Sequence, residues 1–168
     1  MVEIVGFGTE RDPAAIPLAT REGNFIENAR RPPKHPRILL EALRIHTEAH
    51  QSLRLRSLAS EYNCVGMVFA CRRTCIEPEL TPRILKEDGY RRIAPADASV
   101  GDVIVYKNGQ GELVHIGLVI THYPEVRAGK WKTAVLSQWG SVGEYFHDAE
   151  DVPLFLGKPV EYWTERRD

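Results

Sequence analysis

Cysteine is scarce in this chain: three among 168 residues, all inside YNCVGMVFACRRTC, residues 62–75. An odd number crowded into one segment excludes a disulfide framework, so reduced thiols are expected. Net charge is equally scarce. Twenty-two Lys and Arg stand against 23 Asp and Glu, a formal charge of −1, which leaves no global field to draw in nucleic acid or an anionic membrane. The short basic run at residues 30–35 lacks interleaved aromatics and reads as a solvated arm, not as a stacking platform for nucleic acid. No window approaches 18 consecutive apolar residues, and the opening MVEIVGFGTERD carries acids and no apolar core of signal-peptide length. No membrane span and a cytoplasmic location are therefore expected. What remains is an ordinary globular composition, 43% hydrophobic and 27% charged, in a chain long enough to bury one core.

Pro13, Pro17, Pro32, Pro33 and Pro36 would interrupt any long helix in residues 1–36, which read as an irregular arm with one short strand near residues 3–7. Residues 37–168 read as a single domain. Ile38, Ala42, Ile45, Ala49, Leu53 and Leu58 recur at near-helical spacing and predict a long amphipathic helix over residues 37–60. Asn63 is placed to cap a second helix over residues 64–76, which Pro78 and Pro82 end; a short helical turn at 84–88 follows. The pattern then turns to strands at 103–106 and 113–121 around a Gly-rich hairpin, a third at 131–139, and a short fourth within 152–163. Helices first and an antiparallel sheet after predict an α+β domain, with the N-terminal helices packed on the sheet.

HTEAH, residues 46–50, sets His46 and His50 one helical turn apart, a spacing that can bind zinc. The metalloprotease motif needs Glu directly after the first His, and here Glu48 comes two residues later, so these read as polar-face histidines. On one continuous helix the cysteines would share a stripe, but Cys64 and Cys75 would lie roughly 16 Å apart. Only Cys71 and Cys75 could then bind a metal together, and no second Cys pair exists to complete the site; both read as buried packing.

Cys64 differs because it opens a helix. There the free backbone N–H groups and the macrodipole favour a thiolate, and the same N–H groups can hold an oxyanion. A nucleophile also needs a base on a neighbouring rigid element. His115, in LVHIGLVI, sits on a predicted central strand, and Gly117 on the same face is read as leaving space beside it.

NCVGMVFA, followed by VGDVIVY, HIGLVI and AVLSQWG, resembles the NlpC-type cysteine peptidases, relatives of the CHAP amidases within the papain-like superfamily. The resemblance spans about residues 60–140 and implies a papain-like α+β fold and a cysteine peptidase or amidase, with acyl transfer as a variant. It assigns Cys64 as nucleophile and His115 as base, and puts the orienting polar residue on the third strand. Ser137 aligns better there and Gln138 reaches further, but alternation lets only one of them face His115. Asn63 and Tyr62 fall beside the nucleophile at substrate-binding positions. His147, in GEYFHDAEDVP, is a further polar candidate on a loop. The family's cell-wall members carry Asp-Cys-Ser-Gly where this chain has Asn63-Cys64-Val65-Gly66, so the charge that would hold a free amine is missing. A peptide or other amide substrate and no metal or organic cofactor are expected. The rival expectation is a catalytically silent domain of the same fold that binds a peptide or protein through Trp131, Trp139, Tyr145 or Trp163.

Overall fold

The computed structural model of the chain describes residues 15–125 and 128–167. Among the described residues seven strands form one antiparallel sheet: β1 Arg54–Ser57, β2 Arg91–Ile93, β3 Val103–Lys107, β4 Leu113–Glu125, β5 Lys130–Gln138, β6 Glu144–Asp148 and β7 Lys158–Thr164. Their spatial order is β1-β6-β5-β4-β3-β7-β2. With helices α1 Pro36–Ala49, α2 Cys64–Phe69 and α3 Thr81–Glu87, the architecture is mixed α+β. Among the described residues no helix is long and apolar enough to cross a membrane.

Cross-strand pairs share a face, so the register of β3 on β4 sorts the sheet into two sides. Val105 pairs with Ile116 and Val103 with Leu118 on one side, while Tyr106 pairs with His115 and Ile104 with Gly117 on the other. The first side packs on α2 and α3: Cys64, Val65, Ile84 and Leu85 share a buried cluster with Val103, Val105 and Ile116. The second side packs on α1, where Leu43 meets Trp139 and Tyr145.

Helix α1 ends eleven residues before the periodicity does. Asp151 is the cause: its carboxylate accepts from the Ser52 amide at 2.9 Å and the Ser52 hydroxyl at 2.7 Å, and its other oxygen lies 2.8 Å from His50 Nδ1. Held there, the chain leaves the helix and Arg54–Ser57 becomes an edge strand on β6. The expected core stripe of α1 is also rotated. Ile38 and Ile45 are about half exposed, while Leu39, Leu43, His46 and His50 face the sheet, with both imidazoles edge-on to Trp139 at 5.1 and 5.2 Å. The two histidines are thus docking residues of α1, not polar-face ones.

Helix α2 is six residues long, not thirteen. Asn63 caps it as expected, its Oδ1 accepting from Gly66 N at 2.9 Å. The chain then reverses through Cys71 and Arg72 in left-handed conformation (φ 49° and 66°), which puts Cys71 in solvent while Cys75 is buried and pairs with Ala29. The three cysteines share no stripe. The expected short strand within 152–163 is β7, while β6 and β2 were not anticipated and β1 comes out of the stretch read as helix. The expected strand near residues 3–7 lies outside the described residues. Residues 15–35 are irregular, as expected, but they are packed: Ile26 belongs to the Cys64 cluster, and Asn28 Oδ1 accepts from the Thr74 hydroxyl at 2.9 Å.

Gly66 makes that packing possible. A Cβ there would lie 1.7 Å from the Thr74 carbonyl oxygen, and neither backbone has room to retreat. Gly66→Ala is expected to lower stability by about 3 kcal/mol or more in urea unfolding; an unchanged midpoint would mean that residues 71–74 are not held against α2.

Candidate active site

The first turn of α2 is fixed by one side chain. Besides capping Gly66, Asn63 Oδ1 accepts from Ile76 N at 3.1 Å and Nδ2 donates to Ile76 O at 2.7 Å. Cys64, first residue of the helix, is buried against the backbone of Ile116. Tyr62 is buried too, donating its hydroxyl to Glu144 at 2.7 Å. Glu144 also binds Arg72 and Arg56. Both expected substrate-binding residues, Asn63 and Tyr62, are therefore buried and hydrogen-bonded inside the fold.

On the other side of the sheet β4 and β5 close up. Gly117 does not leave space beside His115; a Cβ there would lie 2.5 Å from Val135 Cγ1 and 3.0 Å from Ser137 Cβ. The missing side chain instead lets β5 approach, and this brings Ser137 to His115. His115 Nε2 lies 2.9 Å from Ser137 Oγ, His147 Nε2 lies 2.7 Å from the same oxygen, and Trp139 Nε1 donates to it at 3.1 Å. Gln138 points to the opposite side, where its Nε2 donates to Ala59 O at 2.8 Å. The open choice between Ser137 and Gln138 thus falls to Ser137, by alternation alone. His147 sits on β6, not on a loop, and pairs with Val135.

Donor and acceptor counting fixes the protons in this cluster. His147 Nδ1 lies 2.9 Å from the Asp148 carbonyl, which can only accept, so Nδ1 carries the proton and Nε2 is bare. The Ser137 hydroxyl must then donate to His147. Its two lone pairs accept from the Trp139 indole N–H and from His115, which makes His115 an Nε2–H tautomer. His115 Nδ1 is left as a bare, buried nitrogen with no partner.

The thiol and this nitrogen do not meet. No hydrogen bond joins Cys64 to His115; the thiol lies against the backbone of Ile116, while the imidazole leaves β4 one residue earlier toward Tyr106, whose ring centroid is 5.1 Å away. Direct nucleophile–base contact, expected from the sequence, is absent because successive strand residues face opposite ways. The expected low thiol pKa is reversed as well. Burial pushes Cys64 up to about 11, against the opposing pull of the Ile116, Val65 and Cys64 amides, and a helix of six residues supplies too little dipole to compensate. Burial likewise pulls His115 down to about 3, helped by His147, and His147 down to about 4. The thiol and both imidazoles therefore rest neutral. Among the described residues no three His, Cys, Asp or Glu side chains converge to hold a metal.

The sequence reading missed Trp139 as a member of the site, although it stands two residues beyond Ser137 and so on the same face. It also missed Glu144, whose burial depends on partners from three distant segments.

Two consequences can be measured. Ser137→Ala strips a partner from two imidazoles and an indole at once; a loss of about 2–4 kcal/mol is expected in urea unfolding, and less than about 1 kcal/mol would contradict the network. Second, His115 and His147 bind a proton more weakly folded than unfolded, so the unfolded chain takes up more protons on acidification. Stability should be level above pH 6.5 and fall by on the order of 2 kcal/mol or more between pH 7 and pH 5, before the carboxylates titrate. His147→Gln should roughly halve that fall, since His115 remains, and a flat profile in the parent protein would rule out buried neutral histidines.

Comparison with family models, with curated proteins and with solved structures finds no match for this chain, so its chemistry is read from these residues alone.

Proposed function

We propose that the chain is a cysteine hydrolase of papain-like, NlpC-type fold that cleaves an amide or related acyl bond through Cys64. The observation that carries the reading is the His115 tautomer: Nε2–H is held by Ser137, and the bare Nδ1 is left without a partner. That is the form a general base must have. Nδ1 belongs to the residue next to Ile116, whose backbone the thiol touches. The reaction requires a rearrangement of β4 that turns the bare Nδ1 toward α2, because the two groups rest on opposite faces of the sheet; His115 Nδ1 then takes the thiol proton and the Cys64 sulfur attacks the acyl carbon. The α2 N-terminal amides hold the oxyanion, and the imidazolium returns its proton to the leaving amine or alkoxide. Water, deprotonated by the same nitrogen, then releases the acid from the thioester. An amine or alcohol in place of water would make the step a transfer.

A second reading, a silent domain of the same fold that binds a peptide or protein, is favoured by one observation: thiol and imidazole rest without contact, and the thiol pKa is raised to about 11.

Treatment with p-nitrophenyl acetate, followed by mapping of acetylated cysteines, separates the two. Hydrolysis predicts a transient acetyl group on Cys64 that is absent in His115→Ala. Exposed Cys71 serves as the ordinary-thiol control. Label on Cys71 alone, with Cys64 untouched, would end the hydrolase reading and leave the binding domain.

A further inference from the structure

On the face of the sheet away from Cys64 lies a concave feature. His122 lies seven residues beyond His115 on β4, roughly 20 Å along the strand. Its Nδ1 is 2.8 Å from Thr133 Oγ1, which is 3.2 Å from the Tyr162 hydroxyl. Thr133 and Tyr162 line a groove of about 530 Å³, bounded also by Trp131, Pro159 and Val160. The volume falls in the range of small-molecule sites.

Three features describe what would fit. Trp131 stacks flat on His122, centroids 4.5 Å apart and planes 6° apart, so one indole face is covered, and 43% of the residue remains exposed. A rigid aromatic backed in this way is a platform for another flat ring. Under the groove lies an unanswered polar group: the Tyr106 hydroxyl belongs to a wholly buried residue and has no hydrogen-bond partner. Burial raises its phenol pKa, with Tyr162 and Glu150 adding to the shift. Tyr106 shares a buried cluster with Ala149, against which Tyr162 packs, and both of those residues line the groove, so Tyr106 lies beneath it. The buried His122 Nε2 is unanswered too. Finally, the described lining residues set Lys130 and Lys132 against Glu125, Asp148 and Glu150, and Lys132 is already 3.6 Å from Asp148. Among the described lining residues there is no cationic surplus for a phosphate.

We propose that this groove binds an uncharged planar heteroaromatic molecule of the nucleoside class, its ring stacked on Trp131 and its polar edge turned toward Thr133, Tyr162 and Tyr106. The site is independent of Cys64 chemistry. The Tyr106 ring, packed on His115 at one end of this face, is the physical connection between the two.

The test titrates the full chain with adenosine and with cytidine, following the Trp131 indole N–H by NMR, with ATP as the charged control. Saturable shifts at millimolar concentration or below are expected. Trp131→Ala should weaken binding tenfold or more and Trp131→Phe much less, since a phenyl ring still stacks. ATP should bind no more tightly than adenosine. Absence of saturation by either nucleoside at about 10 mM, or binding that survives Trp131→Ala, overturns the proposal. Tighter binding of ATP overturns it as well, by making the groove an anion site.

Discussion

A hydroxyl group has one proton and two lone pairs, and Ser137 has three buried partners that use all of them. The rest of the candidate site depends on this match. Because the Trp139 indole can only donate and His147 must accept, His115 is left to donate from Nε2, and its other nitrogen stays bare. The arrangement holds only while β5 runs close to β4, and that approach exists because residue 117 is glycine. One missing side chain on β4 thus sets a proton on an imidazole of the same strand. In a buried setting each of these groups would be costly without its partner, so the cluster stands or falls as a unit.

The other half of the site is built by the same kind of economy. Asn63 caps α2 and ties it to Ile76, and Gly66 lets residues 71–74 pass against the helix. The thiol is delivered to the sheet but is dehydrated on arrival, and burial wins over the helix terminus. Cys64 packs on β4 at Ile116 from one side of the sheet, and His115 leaves the same strand toward the other. A hydrolase built this way would be silent until a substrate rearranges the contact, whereas a binding domain would need no such step.

Much of this was legible in the sequence where the cause is local. Period-two patterns marked β3, β4 and β5, Asn63 was readable as a cap, and strand alternation already required a choice between Ser137 and Gln138. What was not legible depends on distant partners. Asp151 stops α1 from one hundred residues away and frees β1; the turn through Cys71 and Arg72 adopts a conformation that neither residue prefers; His147 reaches Ser137 only because β6 pairs in the register it does. The apolar stripe of α1 pointed outward because two histidines fit the edge of Trp139 better, a matter of aromatic geometry that periodicity does not carry. Alternation, applied to His115 and Ile116, required that the two side chains face opposite ways, so that only one of them could meet α2.

The tautomers of the buried histidines test the central claim most directly, and long-range ¹⁵N–¹H correlation spectra of the folded protein at neutral pH read them without any substrate. The account predicts neutral imidazoles protonated at Nε2 in His115 and at Nδ1 in His147. A His115 protonated at Nδ1, or charged, would contradict it, because Nδ1 would then not be the bare nitrogen that the Ser137 network requires.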